Sequence, residues 1–306
     1  MSTSVYDARG GMRNVWIITA SMTVLAICYT MIIPFLPIYL LELGVPKADV
    51  ALWSGLVFGI TFLIAGIMAP IWGKIADNKG KKRMALRAGF AIAVSYVLIG
   101  MVTDQYQLLM GRALVGFANG FYPAAMTMVS LSVDEKQVGR AGRALGIFQT
   151  GLILGNVIGP FLGGAVESVV GMRPVFYISG IAVFIATLAV LFLVKEPKLE
   201  VENTTSKEQS KQPVKATSLR EDFKSVQEQP VLVRLLWIYF FMQCVIMMLQ
   251  PILALYVGDM QGTMEGAAII SGTILSIGGL AGSLTTNIWV RIGERRGYFR
   301  TISYCM

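Results

Sequence analysis

Gly73-Lys74-Ile75-Ala76-Asp77-Asn78-Lys79-Gly80-Lys81-Lys82-Arg83 is a short cationic stretch between two apolar runs. Before it, Val50–Trp72 carries no charge; after Arg87 a second apolar run reaches Thr103. Val50–Trp72 and the stretch Met84–Thr103 are each long enough to cross a bilayer core, which takes about 20 helical residues. The connection between them therefore reads as a tight helical hairpin turn. Its charges belong at the headgroups, because a Lys or Arg at mid-membrane costs about 2.5–3.5 kcal/mol on insertion scales.

Outward from this hairpin the same pattern repeats. Apolar runs cover Val15–Leu41, Val50–Trp72, Met84–Thr103, Tyr106–Val133, Ala144–Val166, Pro174–Val194, Leu235–Val257 and Ala267–Val290, which we number spans 1 to 8. A ninth begins at Phe299 and meets Met306, and is expected to be a stub. The composition agrees: of 306 residues 55% are hydrophobic and 14% charged, where a soluble domain carries about 25% charged residues. Mean hydropathy is +0.64. Of the 26 Lys and Arg, only Lys47, Arg112 and Arg173 fall outside the N-terminus and the even-to-odd loops. That asymmetry places the N-terminus and those loops in the cytoplasm. Glu42, Asp49, Asp104, Glu167, Asp259 and Glu265 fall in the opposite loops.

The chemistry this excludes is broad. There is no histidine, and Cys28, Cys244 and Cys305 stand singly in apolar runs, so neither a metal cluster nor a disulfide framework is expected. No nucleotide loop or catalytic dyad is present, and the reading is not an enzyme. A net charge of +8 is accounted for by topology, with no nucleic-acid partner expected. The expected domains are a six-helix bundle over 1–197, a flexible polar linker over 198–232 and an incomplete second bundle over 233–306, comprising helices 7, 8 and the start of 9.

A shift of 217 residues aligns the chain with itself. Met31, Pro34, Leu36 and Tyr39 fall on Met248, Pro251, Leu253 and Tyr256; Ser54-Gly55 falls on Ser271-Gly272. Trp72 meets Trp289, Lys74 meets Arg291, Asp77 meets Glu294, Gly80 meets Gly297 and Arg83 meets Arg300, without a gap. Shared Leu and Ile would follow from any two apolar hairpins; matched Trp, Pro, Tyr, Gly and loop charges do not. Parallel copies of a six-helix unit joined by a long linker are a transporter architecture.

With these motifs the chain resembles the major facilitator superfamily. Gly73-x-x-x-Asp77-x-x-Gly80-Lys81-Lys82-Arg83 is similar to that family's loop 2–3 motif, and Arg112 with Gly116 and Gly120 resembles its helix 4 motif. Gly155-x-x-x-Gly159-Pro160-x-x-Gly163-Gly164 resembles the motif of the drug:proton antiporter branch. Pro34-Phe35-Leu36-Pro37, Trp53-Ser54-Gly55 and Gly171-Met172-Arg173-Pro174-Val175-Phe176 look like bacterial multidrug exporters of the MdtG-like group. The resemblance implies an all-α polytopic membrane protein of the major facilitator fold, with a complete six-helix N-terminal half, helices 7 and 8, and a truncated remainder. It implies a plasma-membrane exporter of small hydrophobic drug-like compounds, driven by the proton gradient without a cofactor, working as a monomer in the bilayer. Two other readings stay open: a family exporter of sugars or metabolites, and a transport-inactive fragment.

Specific residues carry specific expectations. The resemblance implies that the loop 2–3 residues latch the inward-closed state; the alternative is that they only fix topology and bind anionic lipid. Gly73 and Gly80 would let the backbone turn and approach neighbours. Gly151, Gly155, Gly159 and Gly163 share one face of span 5, and Gly272, Ser276, Gly279 and Ser283 one face of span 8. A span 5–span 8 seam is expected from them, with packing inside one half as the alternative. For Arg112 the resemblance implies a role in proton coupling; the plainer reading is an arginine snorkelling toward Asp104 or Glu167. No acid stands mid-span to pair with it. Tyr29, Tyr39, Asn119, Tyr122, Gln149, Asn156, Gln243, Met247 and Gln250 are the substrate-cavity candidates, each open to the plainer reading of interhelical packing.

Overall fold

The computed structural model describes residues 8–133, 140–194, 230–262 and 266–296. Most of the linker, the stub after Phe299, and Gly297 and Arg300 of the second loop lie outside these residues. The side chains of Asp77, Asn78, Gln250, Ser283, Arg291 and Glu294 lie outside them as well.

Among the described residues the fold is helical throughout. The α-helices are α1 (Ala8–Ile32), α2 (Leu36–Glu42), α3 (Lys47–Lys79), α4 (Lys81–Gly100), α5 (Gln105–Ala118), α6 (Phe121–Leu131), α7 (Arg140–Val170), α8 (Met172–Leu193), α9 (Pro230–Gln261) and α10 (Ala267–Arg296). Among the described residues six stretches are long and apolar enough to cross a membrane: Gly11–Glu42, Lys47–Ala76, Lys81–Gly100, Gln105–Leu131, Gly142–Val170 and Met172–Leu193. They correspond to spans 1 to 6, and α9 and α10 to spans 7 and 8. Large apolar side chains such as Leu63, Ile67, Val169, Ile185 and Phe192 point outward, as a lipid-facing surface requires.

Two spans are interrupted. Span 1 passes through a 3₁₀ turn at Ile33–Phe35 between α1 and α2. Pro34 and Pro37 remove backbone donors there, and every residue from Met31 to Leu40 is buried. Span 4, expected as one helix, is two: α5 ends at Ala118 and α6 starts at Phe121. Asn119 is extended (φ −54°, ψ 156°) and Gly120 has φ +132°, a value that favours glycine. By contrast α7 runs unbroken through Pro160.

The cationic hairpin is tighter than its sequence suggested. Helix α3 continues through Gly73 to Lys79, and α4 starts at Lys81, so Gly80 alone (φ 94°) makes the joint. Gly73 is helical and a Cβ there would meet nothing within 4 Å, so it neither turns the chain nor permits a close approach. The repeat holds in outline: spans 7 and 8, which the sequence match pairs with spans 1 and 2, are the long helices α9 and α10.

The span 5 glycines do not form the expected seam with span 8. They face α1. A Cβ at Gly155 would stand 2.7 Å from Ala26 Cβ and 2.8 Å from Thr23 O; at Gly159, 2.8 Å from Ile27 O; at Gly163, 2.8 Å from the Phe35 ring. Small residues at this spacing bring the two backbones together where apolar burial supplies no drive. Span 8 does pack on span 5, through a different face of α7. A Cβ at Gly279 would meet Val157 Cγ2 at 2.9 Å, and one at Gly272 would strike the Pro160 carbonyl. One helix thus holds its own half together with one face and the second copy with the other.

Candidate functional site

Two cavities meet at the centre. The first, about 370 Å³, is walled by α1, α3, α4, α5, α6 and α7, with Tyr29, Thr61, Tyr96, Asn119, Tyr122 and Asn156 among apolar neighbours. The second, about 620 Å³, lies between α1 and α7 of the first half and α9 and α10 of the second copy. Tyr29 and Asn156 line both, so the spaces share a wall, and Met247 with Ile246 closes the far side. A third cavity of about 480 Å³ sits toward the cationic hairpin, lined by Trp72, Gly73, Lys81, Asn119, Tyr122 and Thr127 among others.

The sequence candidates separate accordingly. Tyr29, Asn119, Tyr122, Asn156 and Met247 line these cavities. Gln149 stands behind the wall and its Nε2 donates to the Tyr122 hydroxyl at 3.2 Å, which fixes that ring. Tyr39 does not line them: it is fully buried, its hydroxyl donates to Ile99 O at 3.0 Å, and its ring lies 5.1 Å from that of Phe176. It ties α2 to α4 and α8. Gln243 is partly buried on α9, away from these three cavities. Gly164 and Pro160 are buried in α7.

Arg112 is the outstanding charge. It is 0% exposed, and its Nε and both terminal nitrogens have no hydrogen-bond partner among the described residues. Its guanidinium stands 5.8 Å from the Phe58 ring, and Tyr29 and Tyr96 lie within its electrostatic reach. It does not snorkel outward. Asp104, one proposed target, is instead the N-cap of α5, accepting from Tyr106 N and Gln107 N at 2.8 Å each. A buried donor left unpaired costs about 1–3 kcal/mol, and a charged one more. The fold holds this cost next to the central cavity, which is where strain linked to function is expected.

Of the loop 2–3 cations, Lys82 is committed within its own half. Its Nζ donates to Leu191 O at 2.8 Å and Val194 O at 2.6 Å, closing the C-terminal end of α8. Lys81 lines the cavity beside the hairpin and Arg83 is exposed. Sequence reasoning missed Arg87 and Trp72 as partners. The guanidinium of Arg87 lies 3.5 Å above the Trp72 ring, and both side chains reach the gap in span 4.

A bundle of apolar helices enclosing a cavity where two sequence-related hairpins meet is the architecture of membrane transporters built from repeats. The chain belongs to the major facilitator superfamily, whose family model matches residues 18–306. It is a multi-pass membrane protein of that transporter class. It is 35% identical over 286 residues to the multidrug resistance protein MdtG of Proteus mirabilis (strain HI4320), covering 93% of this chain and 68% of that one. To the MdtG protein of Klebsiella pneumoniae (strain 342) it is 36% identical over 270 residues, covering 88% and 62%. Among solved structures, a bacterial homolog to the human lysosomal transporter Spinster, inward-facing and unoccupied, matches with a TM-score of 0.69 at 19% identity. That match covers 96% of this chain and 64% of the other. A peptide transporter of the POT type in complex with sulfate matches with a TM-score of 0.65 at 13% identity, covering 92% and 69%. The chain thus spans about two thirds of the length of these relatives.

Proposed function

We propose that the chain serves export of small hydrophobic drug-like compounds across the plasma membrane, by alternating access and in exchange for protons, with its N-terminus in the cytoplasm. No catalytic step and no cofactor is involved; the proton gradient supplies the energy. The observation that carries this reading is the pair of central cavities sharing Tyr29 and Asn156, mostly apolar with a few polar groups, one within the first half and the other between it and the second copy. Such a lining suits large apolar molecules, with Met247 able to adapt to different shapes. The similarity to MdtG multidrug resistance proteins supports the substrate class.

Arg112 is the residue we assign to coupling. A buried cation without a hydrogen-bond partner among the described residues favours arrival of negative charge or loss of nearby positive charge, so each change in its surroundings has a large energetic effect. Loop 2–3, with Asp77 among its cations, is the element we assign to gating.

The test is efflux of a hydrophobic fluorescent dye from membrane vesicles containing this chain, with and without an imposed pH gradient. Gradient-dependent movement that collapses with a protonophore is expected. Dye movement indifferent to the gradient would remove proton exchange, and none under either condition would remove the export reading for this chain.

A further inference from the structure

The interruption in span 4 leaves the last carbonyls of α5 without helical partners inside a membrane-spanning segment, where lipid offers no donor. Two side chains supply what is missing. Trp72 Nε1 donates to Phe117 O at 2.9 Å. Arg87 Nη2 donates to Ala118 O at 3.3 Å and to Asn119 O at 3.2 Å. The two donors brace each other, the guanidinium over the indole at 3.5 Å and the indole edge-on to the Phe117 ring at 5.2 Å. Gly120 fits beneath them: a Cβ there would lie 3.5 Å from Arg87 Nη2 and 3.9 Å from Trp72 Cβ.

The pinned joint stands at a boundary. Asn119 and Tyr122 line both the central cavity and the cavity beside the hairpin, so these two side chains separate the chambers. Asn119 is held by its own Oδ1, which accepts from Gly120 N at 2.8 Å, and Tyr122 by Gln149. Trp72 lies on α3 and Arg87 on α4, the two arms that meet at Gly80. The clamp therefore fastens the arms of the cationic hairpin to the partition between the chambers.

We propose that Trp72 and Arg87 are positioning residues that set the width of a neck at Asn119 and Tyr122. They transmit displacement of the Gly80 hairpin to the passage between the hairpin-side chamber and the central cavity. The inference rests on the transporter reading for its purpose, but its physical content is a controlled opening between two named spaces. Arg87 combines two contacts: its planar guanidinium stacks on the Trp72 ring while its Nη2 donates to two carbonyls.

The test reads access and not transport. In a chain whose three cysteines are replaced, single cysteines are placed at Leu152, which lines the central cavity, and at Thr127, which lines the hairpin-side chamber. A membrane-impermeant maleimide is added to vesicles from the face that carries Lys81. With Arg87 and Trp72 intact, Thr127→Cys labels and Leu152→Cys labels slowly. Arg87→Gln is expected to speed labelling at Leu152→Cys by about fivefold without changing Thr127→Cys, as a shift toward an open minor state would. Arg87→Lys should fall between. Trp72→Phe keeps a ring for the cation but loses the bond to Phe117 O, and should act in the same direction; it decides the matter if Arg87→Gln does not accumulate in the membrane. An unchanged Leu152→Cys rate in a variant that accumulates overturns the proposal. Because labelling needs no substrate movement, a chain that fails to move dye but shows the labelling change would overturn the exporter reading and leave the neck in place.

Discussion

One arginine stands in the interior of α5 and another reaches its C-terminal end from α4, and the two are treated in opposite ways. At the end, Arg87 has an aromatic ring beneath it and two carbonyls before it, and the broken helix is stable because of them. In the interior, Arg112 has its guanidinium nitrogens unpaired among the described residues and a ring only at 5.8 Å. Only the first has a structural reason to be an arginine. Removing Arg87 should therefore damage the fold, whereas removing Arg112 should relieve it, and the contrast separates a cation that builds from one that works.

The largest expected effect is functional. Arg112→Met should reduce dye efflux to background while raising resistance to thermal unfolding in detergent, by about 1 kcal/mol or more, since an unpaired buried charge is lost. A drop in stability would mean that Arg112 has structural partners after all, and the contrast would fail. Arg87→Met should do the reverse, lowering stability by about 2 kcal/mol through two orphaned carbonyls and a lost cation–ring contact. The same thermal measurement reads it. Lys82→Met tests whether capping is general among the hairpin cations; uncovering the end of α8 should cost about 1 kcal/mol. The smallest change expected is from Thr61→Val. Thr61 Oγ1 donates to Arg112 O at 3.2 Å but also to Val57 O within its own helix, so loss near 0.5 kcal/mol should be seen. A larger loss would show that α3 holds the Arg112 segment in place.

Much of this architecture was readable before any coordinates. Bilayer thickness fixes span length, so uninterrupted apolar runs announce themselves, and spans 7 and 8 are the long helices that their match to spans 1 and 2 implies. The break in span 4 was not read, because hydropathy is blind to two unpaired peptide units in an apolar run. A signal was there: Asn119-Gly120 is a turn dipeptide, and Pro123 fits the first turn of a new helix. The direction of the span 5 glycines could not be settled from spacing, since a face of small residues does not say which helix it meets. Trp72 was seen only as a repeat match and Arg87 only as the last of a run of cations. Their partners are carbonyls, and a carbonyl has no letter in the sequence. Tyr39 was misplaced for a related reason: an aromatic hydroxyl on span 1 serves a cavity or a backbone oxygen equally well until the helices are arranged around it.

The end of α8 carries a consequence for how the protein is made. Lys82 donates to Leu191 O and Val194 O, and Arg13 reaches Leu193 O at 3.5 Å. Both cations leave the ribosome long before the carbonyls they bind. Through synthesis of the intervening spans they have no such partner, and the sixth span supplies it on arrival. The smallest unit that completes its own bonding during biogenesis is then the whole six-span set, not the hairpin from which the sequence was first read.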